Sequence, residues 1–166
     1  MSKKTVKSRN KRKIVWVLVV VIMIVYHYGA ISMFSGNDAE LSTKKSDVIV
    51  QKVVEVIDVV SKKDVTPKTY NNVEFFVRKL AHFANFFILG FLFSLLAVLI
   101  DGGKIKQTIL PAMICGLIGA LIDEGHQLFV SGRSGEMRDV CIDFLGVVSS
   151  CFLFTVMGMV WNVEEK

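Results

Sequence analysis

The polar residues of this 166-residue chain that fall in apolar surroundings come in three short sets. The first is Arg78, Lys79 and His82. The second is Asp123, Glu124, His126 and Gln127. The third is Asp139 and Asp143, with Arg133 and Arg138 just ahead of it. Arg78 and His82 lie four apart, as do Asp123 and Gln127, and Asp139 and Asp143, and residues four apart share a helix face. Each segment can therefore aim two polar groups at one point. Ionisable groups in hydrocarbon are expensive, so such groups mark a functional site by default. Carboxylates beside an imidazole suit general acid–base chemistry, whereas Arg and Lys suit an anion such as a phosphate. The stretch SGRSGE, with Gly132, Ser134 and Gly135, adds backbone N–H groups that an anion can use, although it lacks the glycine and lysine spacing of a P-loop. The same carboxylates and His could hold a divalent cation such as Mg²⁺ or Ca²⁺. His126 follows Asp123 by three, but no established ligand spacing is completed, so the sequence assigns no metal and gives a cation only a weak signal.

Every one of these residues also has a plain structural reading. Arg78 and Lys79 can snorkel at a helix end. Asp139 and Asp143 can pair with Arg133 and Arg138, and His82 can be a hydrogen-bonded structural group. Taken together the sets exceed what stapling three helices needs: four carboxylates without Glu136, two His and four Lys/Arg.

The elements that carry these groups are membrane spans. The chain is 52% hydrophobic and only 21% charged, with a mean hydropathy of +0.52, too apolar for a soluble core of this size. A bilayer core needs roughly 20 helical residues. Residues 14–34 supply 21 with no acid, Lys or Arg, and residues 80–100 supply another 21 whose one ionisable group is His82. Residues 109–130 are uncharged as far as Ile122, and residues 140–160 carry Asp143 near their start. The first span also has the layout of a cleaved signal peptide, with Ala30-Ile31-Ser32 resembling a cleavage site. Its apolar run exceeds the usual length of about 7–15 residues, so it reads as a retained span.

Seven basic residues precede that span, leaving 13 basic against 15 acidic residues in the body. The pI of about 9.2 thus reflects a tail and not a folded basic face, which argues against nucleic acid as a partner. Lys and Arg number ten on each side of the predicted topology, but seven fall within the first thirteen residues. That density places both termini in the cytoplasm and the three polar sets at the outer face. In the outer loop, Ile49, Val53, Val56 and Val60 form one stripe across residues 47–61, read as an amphipathic helix on the outer surface or capping the bundle. Its β-branched residues leave a strand open. Thr66-Pro67 marks a turn before the second span. Cys115, Cys141 and Cys151 fall inside spans, so no disulfide framework is indicated. The expected fold is an all-α, integral membrane four-helix bundle, with a basic tail at residues 1–13 and a membrane domain at 14–166.

Arg78-Lys79-x-x-His82-Phe83 with Leu89-Gly90, then Asp123-Glu124-x-His126-Gln127-x-Phe129, Arg133-x-Gly135, Asp139 and Asp143-x-x-Gly146 resembles, in that order, the VanZ-like family. Phe34-Ser35, Ser42 and Ser46 resemble its N-terminal part more loosely. The resemblance implies a small polytopic bacterial membrane protein, and the family's namesake is linked to resistance to the glycopeptide teicoplanin. Where many relatives have Glu then Tyr after the His-Phe pair, this chain has Asn85 and Phe86, so an acid and a phenol are missing from the second span.

Two functional readings follow. In the first, a cell-membrane protein of the envelope binds or modifies a membrane lipid or a lipid-linked or phosphorylated envelope precursor at the outer face. His82, Asp123, Glu124 and Asp139 are the catalytic candidates, and Arg78, Lys79, His126, Gln127, Arg133 and Asp143 the ligand-binding ones. Whether it is an enzyme stays open. In the second, the polar cluster only organises the bundle and the outer loop recruits a protein partner. Transport fits less well, because the inner halves of the last three spans lack polar groups.

Overall fold

In hydrocarbon the backbone has no partner but itself, so apolar runs of this length close into helices. The computed structural model describes residues 3–36, 39–61, 66–101, 105–131 and 135–164. These form α1 (Lys3–Ser35), α2 (Ala39–Ser61), α3 (Pro67–Asp101), α4 (Ile105–Gln127) and α5 (Met137–Glu164), with no strand among the described residues. Among the described residues, four helices are long and apolar enough to cross a membrane: Asn10–Ser35, Pro67–Asp101, Gln107–Gln127 and Met137–Met159. The helical, multi-pass fold expected from the sequence is the one observed.

Helix α3 is longer than the apolar run predicts. Its 35 residues extend about 52 Å at about 1.5 Å each, against a hydrocarbon core of about 30 Å. The reason is local chemistry at its start. Thr66 is a helix cap and not merely a turn: its Oγ1 accepts a hydrogen bond from the Thr69 N–H at 3.3 Å, with Pro67 in the first helical position. The N-terminal extension then lies against α2, where the Tyr70 hydroxyl donates to Asp47.

Helix α2 forms as expected, but on a different face. Val50 is fully buried, with Val54 and Ile57 partly so, whereas Ile49, Val53, Val56 and Val60 stay exposed. The helix carries two apolar stripes, and α3 takes the narrower one. In α4, Pro111 sits inside the helix and withholds one backbone donor.

The core draws on all four spans: Ile31 of α1, Phe86 and Leu89 of α3, Ala112 and Ala120 of α4, and Val140, Val147 and Cys151 of α5. The α3–α5 pair packs most extensively, because small residues let the two backbones approach. A Cβ on Gly146 would strike the Phe83 carbonyl and lie 3.0 Å from the Phe87 nitrogen. One on Gly90 would meet Ser150 and lie 2.9 Å from the Val147 Cα. At the opposite end of the bundle from the polar sets, Lys13 Nζ donates to the Ile100 carbonyl at 3.0 Å, placing a cation at the C-terminal end of α3.

Replacing Gly146 by Val is expected to destabilise the bundle by about 1–3 kcal/mol, as overpacking typically does. Gly29→Ala, whose new methyl has no neighbour within 4 Å, should be neutral or stabilising. Denaturant unfolding in detergent, followed by circular dichroism, measures both.

Candidate functional site

Four helices meet at one polar level. Helix α1 ends there with Ser35, α3 brings Lys79 and His82, α4 ends with Asp123, Glu124 and Gln127, and α5 begins with Asp139 and Asp143. The carboxylates are deeply placed: Asp143 is 0% exposed, Asp123 1%, Glu124 5% and Asp139 7%. The i,i+4 spacing works as predicted, since Asp139 and Asp143 both face α3. Asp139 forms an ion pair with Lys79. Asp143 Oδ1 lies 3.3 Å from His82 Nδ1, a close contact without hydrogen-bond geometry that is an ion pair only when the imidazole is protonated. Arg138, one of the two partners that the sequence suggested, pairs with Glu136 instead, and the Asp139 and Asp143 carboxylates reach across the bundle to Lys79 and His82.

A second layer orients the α4 carboxylates. Ser35 Oγ donates to Asp123 Oδ2 at 2.9 Å. Gln127 Nε2 donates both to the same oxygen at 3.2 Å and to Glu124 Oε1 at 3.0 Å. The backbone N–H of Glu136 donates to Glu124 Oε2 at 2.8 Å. Among the described residues, three buried oxygens remain without a hydrogen-bond partner: Asp123 Oδ1 and both oxygens of Asp143. His82, Asp123, Glu124 and Asp143 each offer one ligand atom, and these four atoms all lie within 4.8 Å of one another.

The remaining candidates lie outside this group. His126 is exposed, its ring beside Gly36. Arg138 is exposed and pairs with Glu136 at 2.6 Å. Its guanidinium and the Lys79 ammonium both approach the Phe75 ring, at 5.0 and 5.1 Å. Arg78 is partly buried, one turn beyond His82, and makes no hydrogen bond or ion pair among the described residues. Arg133, Gly132 and Ser134 lie outside the described residues. The sequence reading missed Ser35 as a partner of Asp123 and the Glu136 N–H as a partner of Glu124. A serine closing an apolar span at the level of the acids is the signal that points to the first. Nothing in a sequence identifies a backbone donor supplied by a loop.

Asn85 and Phe86 are the positions that depart from the family pattern. The main-chain carbonyl of Asn85, which any residue there would supply, accepts from His27 Nε2 at 3.0 Å. Phe86 is fully buried in the core. A phenol approaches from α1 instead, where the Tyr28 hydroxyl donates to the Gly119 carbonyl at 3.0 Å.

Chemically the buried set is rich in acid. Lys79 answers Asp139, and three carboxylates then face a single imidazole. That arrangement suits a cation or a proton in transit better than a bare anion. Fold and site together define a small polytopic membrane protein with a recessed polar cluster at one end of its helices. The chain belongs to the VanZ/LLP1 family, whose model matches residues 14–158. No curated protein and no solved structure matches it.

The Lys79–Asp139 pair gives a direct check of the packing. Lys79→Met leaves Asp139 buried and unanswered, a change that typically costs about 3–5 kcal/mol. Adding Asp139→Leu should recover most of that loss. A double-mutant cycle by chemical unfolding measures the coupling, expected at about 3 kcal/mol, the upper end of the usual range.

Proposed function

We propose that this VanZ-family protein resides in the cell membrane with both termini in the cytoplasm. At the outer end of its bundle it holds the anionic headgroup of a lipid-linked or phosphorylated envelope component. The observation that carries this reading is Arg78. It is a partly buried guanidinium with no partner among the described residues, one turn outside a cluster built by four helices. Guanidinium groups bind phosphate and carboxylate in bidentate fashion, and a charge withdrawn from water without a partner is unfavourable. Orientation is supported by the exposed Lys11, Arg12 and Lys13 at the end of α1 remote from the cluster. If the component is chemically modified, His82 is the proton carrier of choice. Its side chain is 19% exposed while the Asp143 behind it is closed off. A part in teicoplanin resistance is carried over from the family's namesake alone.

A scaffold reading draws on a different observation, the Lys79–Asp139 and His82–Asp143 contacts that tie α3 to α5. Under it, cluster variants that lose function also lose the fold, whereas variants of the outer loop lose function alone.

Two experiments test the proposal. With Cys115, Cys141 and Cys151 replaced by Ala, a membrane-impermeant maleimide should label Lys52→Cys in intact cells but not Lys11→Cys. The reverse pattern overturns the orientation. In nanodiscs containing a phosphomonoester lipid, Arg78→Gln should lower lipid retention about tenfold or more, since a hydrogen bond to a charged group contributes about 1.5–3 kcal/mol. Arg138→Gln should leave retention unchanged. Equal retention by Arg78→Gln and wild type defeats the headgroup reading, and loss of helical signal in every cluster variant supports the scaffold.

A further inference from the structure

A carboxylate keeps its charge in a low-dielectric interior only when something positive or protic faces it. Asp143 is fully buried, and neither of its oxygens has a hydrogen-bond partner. Asp123 Oδ1 is in the same condition. Among the described residues, His82 Nδ1 comes within 3.3 Å of Asp143 Oδ1 without hydrogen-bond geometry, and the other donors are committed elsewhere. Lys79 is committed to Asp139, Ser35 holds the other oxygen of Asp123, and Gln127 divides its two protons between Asp123 and Glu124. Three carboxylates and one neutral imidazole would carry a charge of −3 at a depth where the helices are otherwise apolar.

We infer that His82, Asp123, Glu124 and Asp143 form a site for one divalent transition cation of the Mn²⁺ or Zn²⁺ kind. One imidazole nitrogen with three carboxylate oxygens is a mixed set that these ions accept. Ca²⁺ takes about 6–8 oxygen ligands, and Mg²⁺ keeps several waters, so both fit less well. The dimensions agree. Two ligands on a tetrahedral ion with bonds of about 2.1 Å stand about 3.4 Å apart, and His82 Nδ1 is 3.3 Å from Asp143 Oδ1. The widest separation in the group is at most 4.8 Å. Opposite ligands on an octahedral ion stand about 4.2 Å apart at the same bond length, so side-chain rotations of a few tenths of an ångström close the site. A cation would reduce the net charge from −3 to −1.

The surroundings have the form of a metal site's supporting shell. Ser35, Gln127 and the Glu136 N–H hydrogen-bond the carboxylates and fix their orientation, as groups behind metal ligands do. The partly exposed His82 supplies an entry path. The cation shares the location assigned above to a headgroup, but rests on separate observations and needs no lipid.

The test uses the full chain in detergent, stripped with EDTA and free of lipid and phosphate, then titrated with Mn²⁺ or Zn²⁺. Calorimetry should find one strong site, and mass-spectrometric metal analysis one equivalent per chain, with a rise in Tm on loading. Asp143→Asn and Asp123→Asn should each weaken binding at least tenfold. Ser35→Ala, which removes an orienting hydrogen bond and no ligand, should weaken it about tenfold. His126→Ala should bind as wild type. If Asp143→Asn fails to fold by circular dichroism, Glu124→Gln takes its place.

The inference is overturned if the stripped wild type takes up neither ion at millimolar concentration. It is equally overturned if the folded ligand variants bind as tightly as wild type, or if His126→Ala abolishes uptake. Lipid retention measured with EDTA present reports on the headgroup alone, so either reading can fail without the other.

Discussion

Most of this chain is interchangeable apolar side chain. The constraint that is not interchangeable is the cost of holding Asp123, Glu124 and Asp143 away from water. An isolated ion moved into a low-dielectric interior carries an effective penalty of several kcal/mol even after relaxation, comparable with the whole stability of a small domain. The fold answers this with a division of labour. Lys79 neutralises Asp139, backbone and amide donors hold one side of Asp123 and Glu124, and His82 stands before Asp143. What these partners leave, among the described residues, is Asp123 Oδ1 and both oxygens of Asp143 without a hydrogen-bond partner. Those oxygens are the observation on which the inferred cation rests.

The rest of the architecture serves to keep that point small. Gly90 and Gly146 bring α3 and α5 so close that any side chain at either position would meet the facing helix. With the backbones fixed at that distance, Lys79 reaches Asp139 and His82 reaches Asp143 across the same interface. A bulkier contact lower in the bundle would widen its upper end and separate the ligand atoms. The apolar core of Phe86, Leu89, Val147 and Cys151 therefore acts on the site through geometry and not through contact.

Much of this is legible in the sequence. The spans, the all-helical class and the gathering of polar sets at one face followed from run length and alternating chain direction, since a residue's depth in a span is its distance from the span's end. The i,i+4 pairs Asp139/Asp143 and Asp123/Gln127 followed from helical pitch alone. Less legible was the start of α3. A hydropathy pattern marks where hydrocarbon ends, whereas the helix continues through Tyr70 and Phe75 because Thr66 caps it and α2 supports it. On α2 the broader apolar stripe was visible but the one that packs was not, since a stripe shows amphipathicity and not its partner.

The sequence by itself determined that the chain carries four runs long and apolar enough to cross a membrane, and which residues share each end, because these depend on local composition and on helix geometry. It determined the family through an ordered set of spaced residues. Only the tertiary structure decided who faces whom: Lys79 with Asp139, Ser35 with Asp123, Arg138 turned away to Glu136 and Phe75, and His126 outside the cluster. The reason is that partner choice depends on how each helix rotates about its own axis. That rotation is set by small-residue contacts on neighbouring helices, far away in the chain, which no local pattern encodes.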